Sequence, residues 1–115
     1  MYCEATMKKH YKLESRDLQP LATGFGLCVV TDRIAVDGYA VGYMYRDEPE
    51  DGEDSGWRFF AGDEDDRYID NPKNFNVMEV NFVANCDPSI IAHLESPIGA
   101  AFDKADDGDF YDVSE

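Results

Sequence analysis

Carboxylates are the side chains with the greatest chemical potential in this chain, and they are concentrated in two blocks. Residues 47–66 contain ten acids and one arginine, and residues 103–115 contain six acids and one lysine. A pair of carboxylates can act as general acid and general base only where different environments separate their pKa values. Neighbouring exposed acids share nearly the same environment, so both blocks predict solvated negative surfaces and no catalytic residue.

Neither acidic block has the spacing of a calcium-binding loop. Such a loop places oxygen ligands at its first, third and fifth positions, glycine at the sixth and glutamate at the twelfth. A loop starting at Asp47 has Pro49 third and Arg58 twelfth, and one starting at Asp103 has Ala105 third and no glutamate twelfth. The sequence therefore predicts no metal site and only weak condensation of cations.

The histidines and cysteines do not form a recognisable reactive group. His10 and His93 are far apart, and neither has a second ligand at a metal-binding spacing. Cys3, Cys28 and Cys86 are odd in number and widely spaced, which predicts no disulfide framework and fits a reducing cytosol. Phosphate-binding and nucleophile motifs are also missing. We therefore expect no cofactor and no enzymatic activity.

Composition limits the classes of partner. The chain has 115 residues, 25 acids against 10 basic residues, a formal net charge of -15 and 43% hydrophobic residues. This predicts one domain, residues 1–115, with enough apolar surface for a core. The charge disfavours nucleic acid and anionic membranes and favours basic proteins, unless it serves only solubility. The N-terminus has no apolar signal segment, so we expect a cytoplasmic protein.

The sheet-forming segments are recognised by alternation and by apolar, β-branched runs. Trp57 and Phe59 alternate with Arg58 and Phe60, and the acidic, glycine-containing residues 47–56 predict a solvated hairpin loop before them. We predict strands at residues 26–31, 41–46, 57–61 and 98–102 and, after an Asp107-Gly108 turn, at 110–113.

Helical segments are indicated by four-residue spacing and by capping residues before proline. We predict an N-terminal helix with Cys3, Met7 and Tyr11 on one face, a single turn after Asp70-Asn71-Pro72, a helix at 78–84 and a short helix from Ser89 to Leu94 after Asp87-Pro88. Together the elements predict an α+β fold, a single small domain whose antiparallel sheet carries a few short helices.

Trp57 has two interpretations. In the first, it belongs with Phe59, Phe60, Tyr43 and Tyr45 to the aromatic core of adjoining strands. A tryptophan beside an acidic loop and near arginines is also typical of a protein interface, where aromatic and arginine anchors supply affinity and acids steer association. The sequence leaves both open.

Four segments have distinctive residue patterns: residues 41–46 (VGYMYR), 55–65 (SGWRFFAGDED), 68–72 (YIDNP) and 85–90 (NCDPSI). Together they resemble a bacterial family first listed as a domain of unknown function, the immunity protein thirty-three-like family. The resemblance spans residues 27–102 and leaves out the N-terminal 1–25 and the acidic tail 103–115.

The resemblance implies a small cytosolic α+β protein, often encoded beside toxins of polymorphic toxin systems, that protects its cell by binding a cognate toxin. It carries over no catalytic residue. The residues that match the characteristic segments are Arg46, Trp57, Gly62, Asp63 and Glu64.

These observations predict a non-enzymatic binding protein whose partner is a basic protein such as a toxin domain. A rigid acidic surface could occupy a basic cleft by placing carboxylates where phosphates would bind. The alternative is a housekeeping domain that regulates another protein or binds a small molecule, marked by an apolar pocket near Trp57. The oligomeric state stays open. The expected partner-binding residues are Arg46, Asp47, Glu48, Glu50, Asp51, Trp57, Asp63, Glu64, Asp65 and Asp66.

Overall fold

A six-stranded mixed sheet is the central element of the structure, a computed structural model that describes residues 9–114. The strand order is β4-β1-β3-β2-β5-β6. The strands are β1 (Leu27–Thr31), β2 (Tyr43–Arg46), β3 (Asp54–Phe60), β4 (Phe75–Glu79), β5 (Ala101–Lys104) and β6 (Phe110–Asp112). The α-helices are α1 (Asp32–Ala35), α2 (Asp66–Ile69) and α3 (Val80–Cys86), and 3₁₀ helices span Ser15–Asp17, Pro72–Asn74 and Pro88–His93.

One pair of strands is parallel, which corrects the expectation of a purely antiparallel sheet while the α+β class is confirmed. Strands β1 and β3 run parallel, and all other neighbouring pairs are antiparallel. The chain leaves β1 through α1 and enters β2, which lies two positions away from β1 and antiparallel to it. One strand position is left open between them. The β2–β3 hairpin then returns into the gap, so β3 must run in the direction of β1.

The core lies between one face of the sheet and the helices. From the sheet it receives Cys28, Val30, Met44, Trp57 and Phe59, all almost completely buried. The helical layer contributes Ile34, Ala35, Val80, Val83, Ile90 and Leu94, all buried. Side chains alternate between the two faces along each strand, so the intervening residues define a second face, called the open face below.

Most predicted elements are confirmed, with changed boundaries. The hairpin loop is shorter than 47–56 because β3 already begins at Asp54. The strand expected at 98–102 begins at Ala101, since residues 97–100 turn and Gly99 has a positive φ of 98°. The N-terminal helix involving Cys3 and Met7 lies outside the described residues, and Tyr11 lies in a non-helical segment.

Strand β4 was missed. Phe75 and Val77 face one side of the sheet and Asn76 and Met78 the other, a weak alternation that helix-compatible residues from Met78 onward obscure. The helix expected at 78–84 therefore begins only at Val80 and extends to Cys86.

Asp87 connects three elements at one end of the core. Its carboxylate accepts hydrogen bonds from the Val41 backbone N–H at 3.0 Å, the Ser89 hydroxyl at 2.6 Å and Lys104 Nζ at 2.6 Å. It also caps the Pro88–His93 helix by accepting from the Ser89 N–H. Burial opposes the charged carboxylate, but the bonds from Lys104 and Ser89 outweigh it and hold the pKa of Asp87 below its ordinary value.

Replacing Asp87 by alanine is expected to lower the free energy of unfolding by about 3–5 kcal/mol, because it leaves Lys104 and a backbone N–H without their buried acceptor. Urea denaturation of the two proteins measures the difference. The matched control is Asp106→Ala, which removes an exposed carboxylate and should change stability by less than about 0.5 kcal/mol. Equal effects of the two variants would contradict this role for Asp87.

Candidate partner-binding surface

Arg46, an expected binding residue, is held by backbone carbonyls. Its Nε donates to the Ser55 carbonyl at 2.9 Å and its Nη1 to the Ser96 carbonyl at 2.7 Å. The guanidinium lies 5.7 Å from the centre of the Trp57 ring. Arg46 therefore joins the end of β2 to β3 and to the segment before β5, with two of its five N–H donors bound to backbone carbonyls.

Trp57 is a core residue, which decides between its two interpretations. Its side chain is 0% exposed, and its indole N–H donates to the Leu94 carbonyl at 3.1 Å. The alternation of β3 places Trp57 and Phe59 together under the helical layer. The expectation that Trp57 anchors a partner is corrected, because its side chain offers no surface.

Glu64 holds the loop after β3 in place. One carboxylate oxygen accepts from the Thr31 hydroxyl at 2.7 Å and the Ala61 N–H at 2.8 Å, and the other accepts from the Gly62 N–H at 2.8 Å. Burial favours the neutral acid, but these hydrogen bonds prevail and lower the pKa of Glu64. Glu64 is thus half-buried and negatively charged, and it fixes the backbone of the loop after β3 to the end of β1.

The remaining expected acids are exposed and fall into two groups. The first acidic group is Asp47, Glu48, Glu50 and Asp51 in the β2–β3 loop. Asp47 and Asp51 accept hydrogen bonds from nearby backbone N–H groups. Within residues 9–114, the side chains of Glu48 and Glu50 have no hydrogen-bond or ion-pair partner.

The second acidic group is Asp63, Asp65 and Asp66, next to Glu64. Asp63 forms a half-exposed ion pair with Arg33 at 3.5 Å, and Asp65 caps α2 by accepting from the Tyr68 N–H at 2.9 Å. The first acidic group precedes β3 in the chain and the second comes after it, so the two groups lie beyond opposite ends of this strand. At ~3.3 Å per residue, the strand keeps them about 20 Å apart. They are the two ends of one elongated surface and do not surround Trp57.

An aromatic cluster lies between the two acidic groups on the open face, and three of its four members, Tyr43, Tyr45 and Phe60, were expected in the core. Tyr43, Tyr45 and Phe60 contact one another with ring centroids 5.8–6.0 Å apart, and Phe75 meets Phe60 at 6.1 Å. All four are half-buried. The alternation along the strands could have indicated that these rings face away from the core. Tyr43 and Tyr45 alternate with Met44, and Phe60 follows Phe59, and both Met44 and Phe59 are buried.

A buried ion pair borders this cluster. Arg58 donates two parallel hydrogen bonds to Asp54, each 2.9 Å long. Asp54 also accepts from the N–H groups of Glu50 and Gly56. Gly56 has a φ of +89°, and a side chain there would strike the Asp47 carbonyl, so the SGW segment depends on glycine. Hydrogen bonds from Arg58 hold the pKa of Asp54 far below 3.8, against the effect of burial.

The comparisons with known proteins gave one family. The family described as Immunity protein Imm33 domain matches residues 28–114. The chain belongs to the Imm33 immunity protein family. Neither the search of curated proteins nor the search of solved structures gave a significant match.

The Imm33 match covers every residue of the surface described above. It also runs past Phe102, where the resemblance seen in the sequence ended, and so includes the tail strand β6. The recognised resemblance to the immunity protein family is thereby confirmed.

Cys28, Cys86 and His93 lie within the Imm33 match, and the surroundings of each are those of a packing residue. Burial raises the pKa of Cys28 strongly and that of Cys86 to about 11, which keeps both thiols protonated at neutral pH. The His93 ring packs on Phe102 and Phe110, with ring centroids 4.6 and 5.5 Å away.

Among the described residues there is no group of three or more His, Cys, Asp or Glu placed to hold a metal ion. None of the helices between residues 9 and 114 has the length and apolar character to cross a membrane.

The small-molecule alternative depended on an apolar pocket near Trp57. A hollow beside that part of β3 is lined by Arg46, Asp54 and Ser55 together with the apolar side chains of Phe25 and Leu27, and Trp57 does not line it. The feature that would favour this alternative is therefore not found around Trp57 in the described part of the chain.

Trp57→Phe is expected to lower the free energy of unfolding by about 2 kcal/mol, since it shrinks a core side chain and leaves the Leu94 carbonyl without its donor. Trp57 is the only tryptophan, so its fluorescence in the native protein should resist quenching by iodide and lose that protection in denaturant. Quenching as efficient in the native as in the unfolded protein would contradict burial. Tyr111→Phe, at a half-exposed position, is the control and should leave stability nearly unchanged.

The Asp54–Arg58 pair predicts a specific acid sensitivity. Because the folded-state pKa of Asp54 lies below its unfolded value of 3.8, the pair stabilises the fold above that pH and loses this contribution as the pH falls towards the folded-state value. The wild-type chain should exceed Asp54→Asn in stability at neutral pH, and the gap should narrow below about pH 4. Denaturation midpoints of both proteins across this range measure it, and a constant gap would refute it.

Proposed function

We propose that this chain neutralises a bacterial toxin domain with a basic surface by binding it across the open sheet face and its two acidic groups. The Imm33 match over residues 28–114 carries the proposal, because an immunity protein acts by binding the toxin of its own system. The complex forms in the cytoplasm of the producing cell, and the toxin belongs to a polymorphic toxin system.

Charge complementarity supports a basic partner. The chain carries a formal net charge of -15, and a field of this sign speeds the encounter with a positive surface and repels nucleic acid. A toxin that acts on nucleic acid has a basic substrate cleft. Carboxylates presented on a rigid sheet can occupy that cleft in place of phosphates, which blocks the substrate without any chemistry by the immunity protein.

The available carboxylates are those that accept no hydrogen bond from the backbone and form no buried ion pair; the one partner of Asp63 among the described residues is Arg33, in a half-exposed pair. Glu48 and Glu50 at one end, and Asp63 and Asp66 at the other, are exposed. Asp65 and Glu64 instead bind backbone N–H groups. Mutations that test binding should therefore leave Asp65 and Glu64 in place.

The first experiment is to immobilise the protein, pass lysate of its own organism over it at low and then high salt, and identify the retained proteins by mass spectrometry. A single protein with a basic toxin domain, released by salt, supports the proposal. Its toxicity in a bacterial host, relieved by co-expression of this chain, completes the test. Retention of nothing, or only of generic basic proteins, refutes the toxin partner.

Asp63→Lys combined with Asp66→Lys is expected to slow association with the retained partner by about tenfold at low salt and to reduce the salt dependence of the rate, since steering depends on charge at the surface. Stopped-flow association at two ionic strengths measures both. Glu48→Lys with Glu50→Lys tests the first acidic group in the same way.

The matched control reverses two exposed charges elsewhere, Glu14→Lys with Glu95→Lys, and keeps the same net charge. If it slows association as much as the test variants, overall charge alone drives binding, and the proposed surface is wrong.

A further inference from the structure

A hollow of about 220 Å³ opens on the open face beside the second acidic group. It lies where β1, β3 and β5 end and where the loop after β3 crosses over to α2. Its lining residues are Tyr43, Phe60, Gly62, Glu64, Ile69 and Asp103.

Asp103 supplies an uncompensated carboxylate at this hollow. It lies opposite Tyr43 on β2 and opposite Tyr111 on β6, so both rings are its cross-strand neighbours. The side chain is half-buried, and in the described range it makes neither a hydrogen bond nor an ion pair. The nearby cation Lys104 is already paired with Asp87 at 2.6 Å.

The rest of the lining adds a second negative charge and aromatic faces. Glu64 keeps its charge while accepting three hydrogen bonds. Tyr43 and Phe60 form one wall, with ring centroids 6.0 Å apart, and Ile69, 41% exposed, forms another. Aromatic faces beside carboxylates attract a cation that also carries apolar carbon atoms.

A wider hollow of about 570 Å³ continues from this site and shares Gly62 and Asp103 with it. Tyr39 and Tyr111, each about half exposed, and Asp63 lie along it. The surface therefore has room for a chain segment next to the point where one side chain enters.

The chemistry selects one occupant among those that fit an aromatic, acidic hollow. An anion is repelled by Glu64 and Asp103. A second copy of this chain brings the same net charge of -15 and is repelled at long range. A basic protein supplies both the positive charge and the alkyl stem.

We propose that the hollow formed by Tyr43, Phe60, Glu64 and Asp103 receives a lysine or arginine side chain of the partner protein. The inference rests on the proposed function, since it names the anchor through which the toxin domain binds. It replaces the buried Trp57 by a half-buried aromatic site that is open to solvent as the anchor of the interface.

The test uses small probes and needs no toxin. Blocked arginine and blocked lysine (N-acetyl amino-acid amides) are titrated into ¹⁵N-labelled protein, with blocked citrulline as the uncharged analogue of arginine. The cationic probes should shift the amides of Gly62, Ile69 and Asp103 in a saturable way, and citrulline should not. Equal shifts with citrulline, or shifts spread evenly over all acidic loops, would overturn the proposal.

Two pairs of variants locate the effect. Asp103→Asn should weaken probe binding by about fivefold, whereas Asp106→Asn, with the same charge change in the exposed turn, should weaken it by less than about twofold. Tyr43→Leu should likewise weaken binding, and Tyr45→Leu, on the same strand outside the hollow, should not. Equal effects within either pair overturn the assignment. The amide spectrum of each variant verifies that it is folded.

Three further outcomes are decisive. If the same amides shift with protein concentration alone, a second copy fills the hollow and the inference is wrong. If the probes bind here but the lysate yields no toxin, the cation site stands and the proposed function fails. If a toxin is found and Asp103→Asn binds it with unchanged affinity, the function stands and the anchor fails.

Discussion

The alternation of side chains along β3 is the constraint on which the rest of the structure depends. This strand lies between β1 and β2 and is the most buried strand of the sheet. Trp57 and Phe59 must enter the core, so Arg58 and Phe60 must face the opposite side. A shift of the register by one residue would turn Trp57 out of the core and turn Arg58 into it, away from its partner Asp54. The core, the position of the Asp54–Arg58 pair and the aromatic cluster are therefore fixed together.

The segments that carry the family resemblance serve this constraint more than they serve recognition. Gly56 lets β3 pass close to the Asp47 carbonyl, Arg46 lies against Trp57, and Glu64 closes the turn after β3. These residues hold the fold of this chain around β3. Residues that choose a partner are then expected around this frame, where a change of side chain does not disturb the fold, as at Asp63, Tyr43 and Asp103.

The sequence was sufficient for local features and insufficient for those that depend on the sheet order. Strand alternation at 57–61 and capping at Asn71 and Asp87 could be predicted, because each depends on neighbouring residues alone. The parallel β1–β3 pair could not, since it follows from where the hairpin inserts. The same applies to the hollow: Tyr43, Glu64 and Asp103 are distant in sequence, and only the β3-β2-β5 order brings them together. Trp57 was ambiguous because a core aromatic and an interface aromatic have the same sequence signature.

The acidity of the chain is better understood when its carboxylates are separated by what they bind. Asp47, Asp51 and Asp65 accept backbone N–H groups in turns, and Asp54 and Asp87 have cationic partners in buried positions. Glu48, Glu50, Asp66 and Asp103 lack such bonds within the described residues, so they add repulsion to the folded state with no compensating contact. A fold does not need charges of this kind, and solubility alone does not require one of them to be half-buried between two tyrosines. The position of Asp103, half-buried and without a hydrogen bond or ion pair in the described part of the chain, is the observation on which the proposed cation site rests.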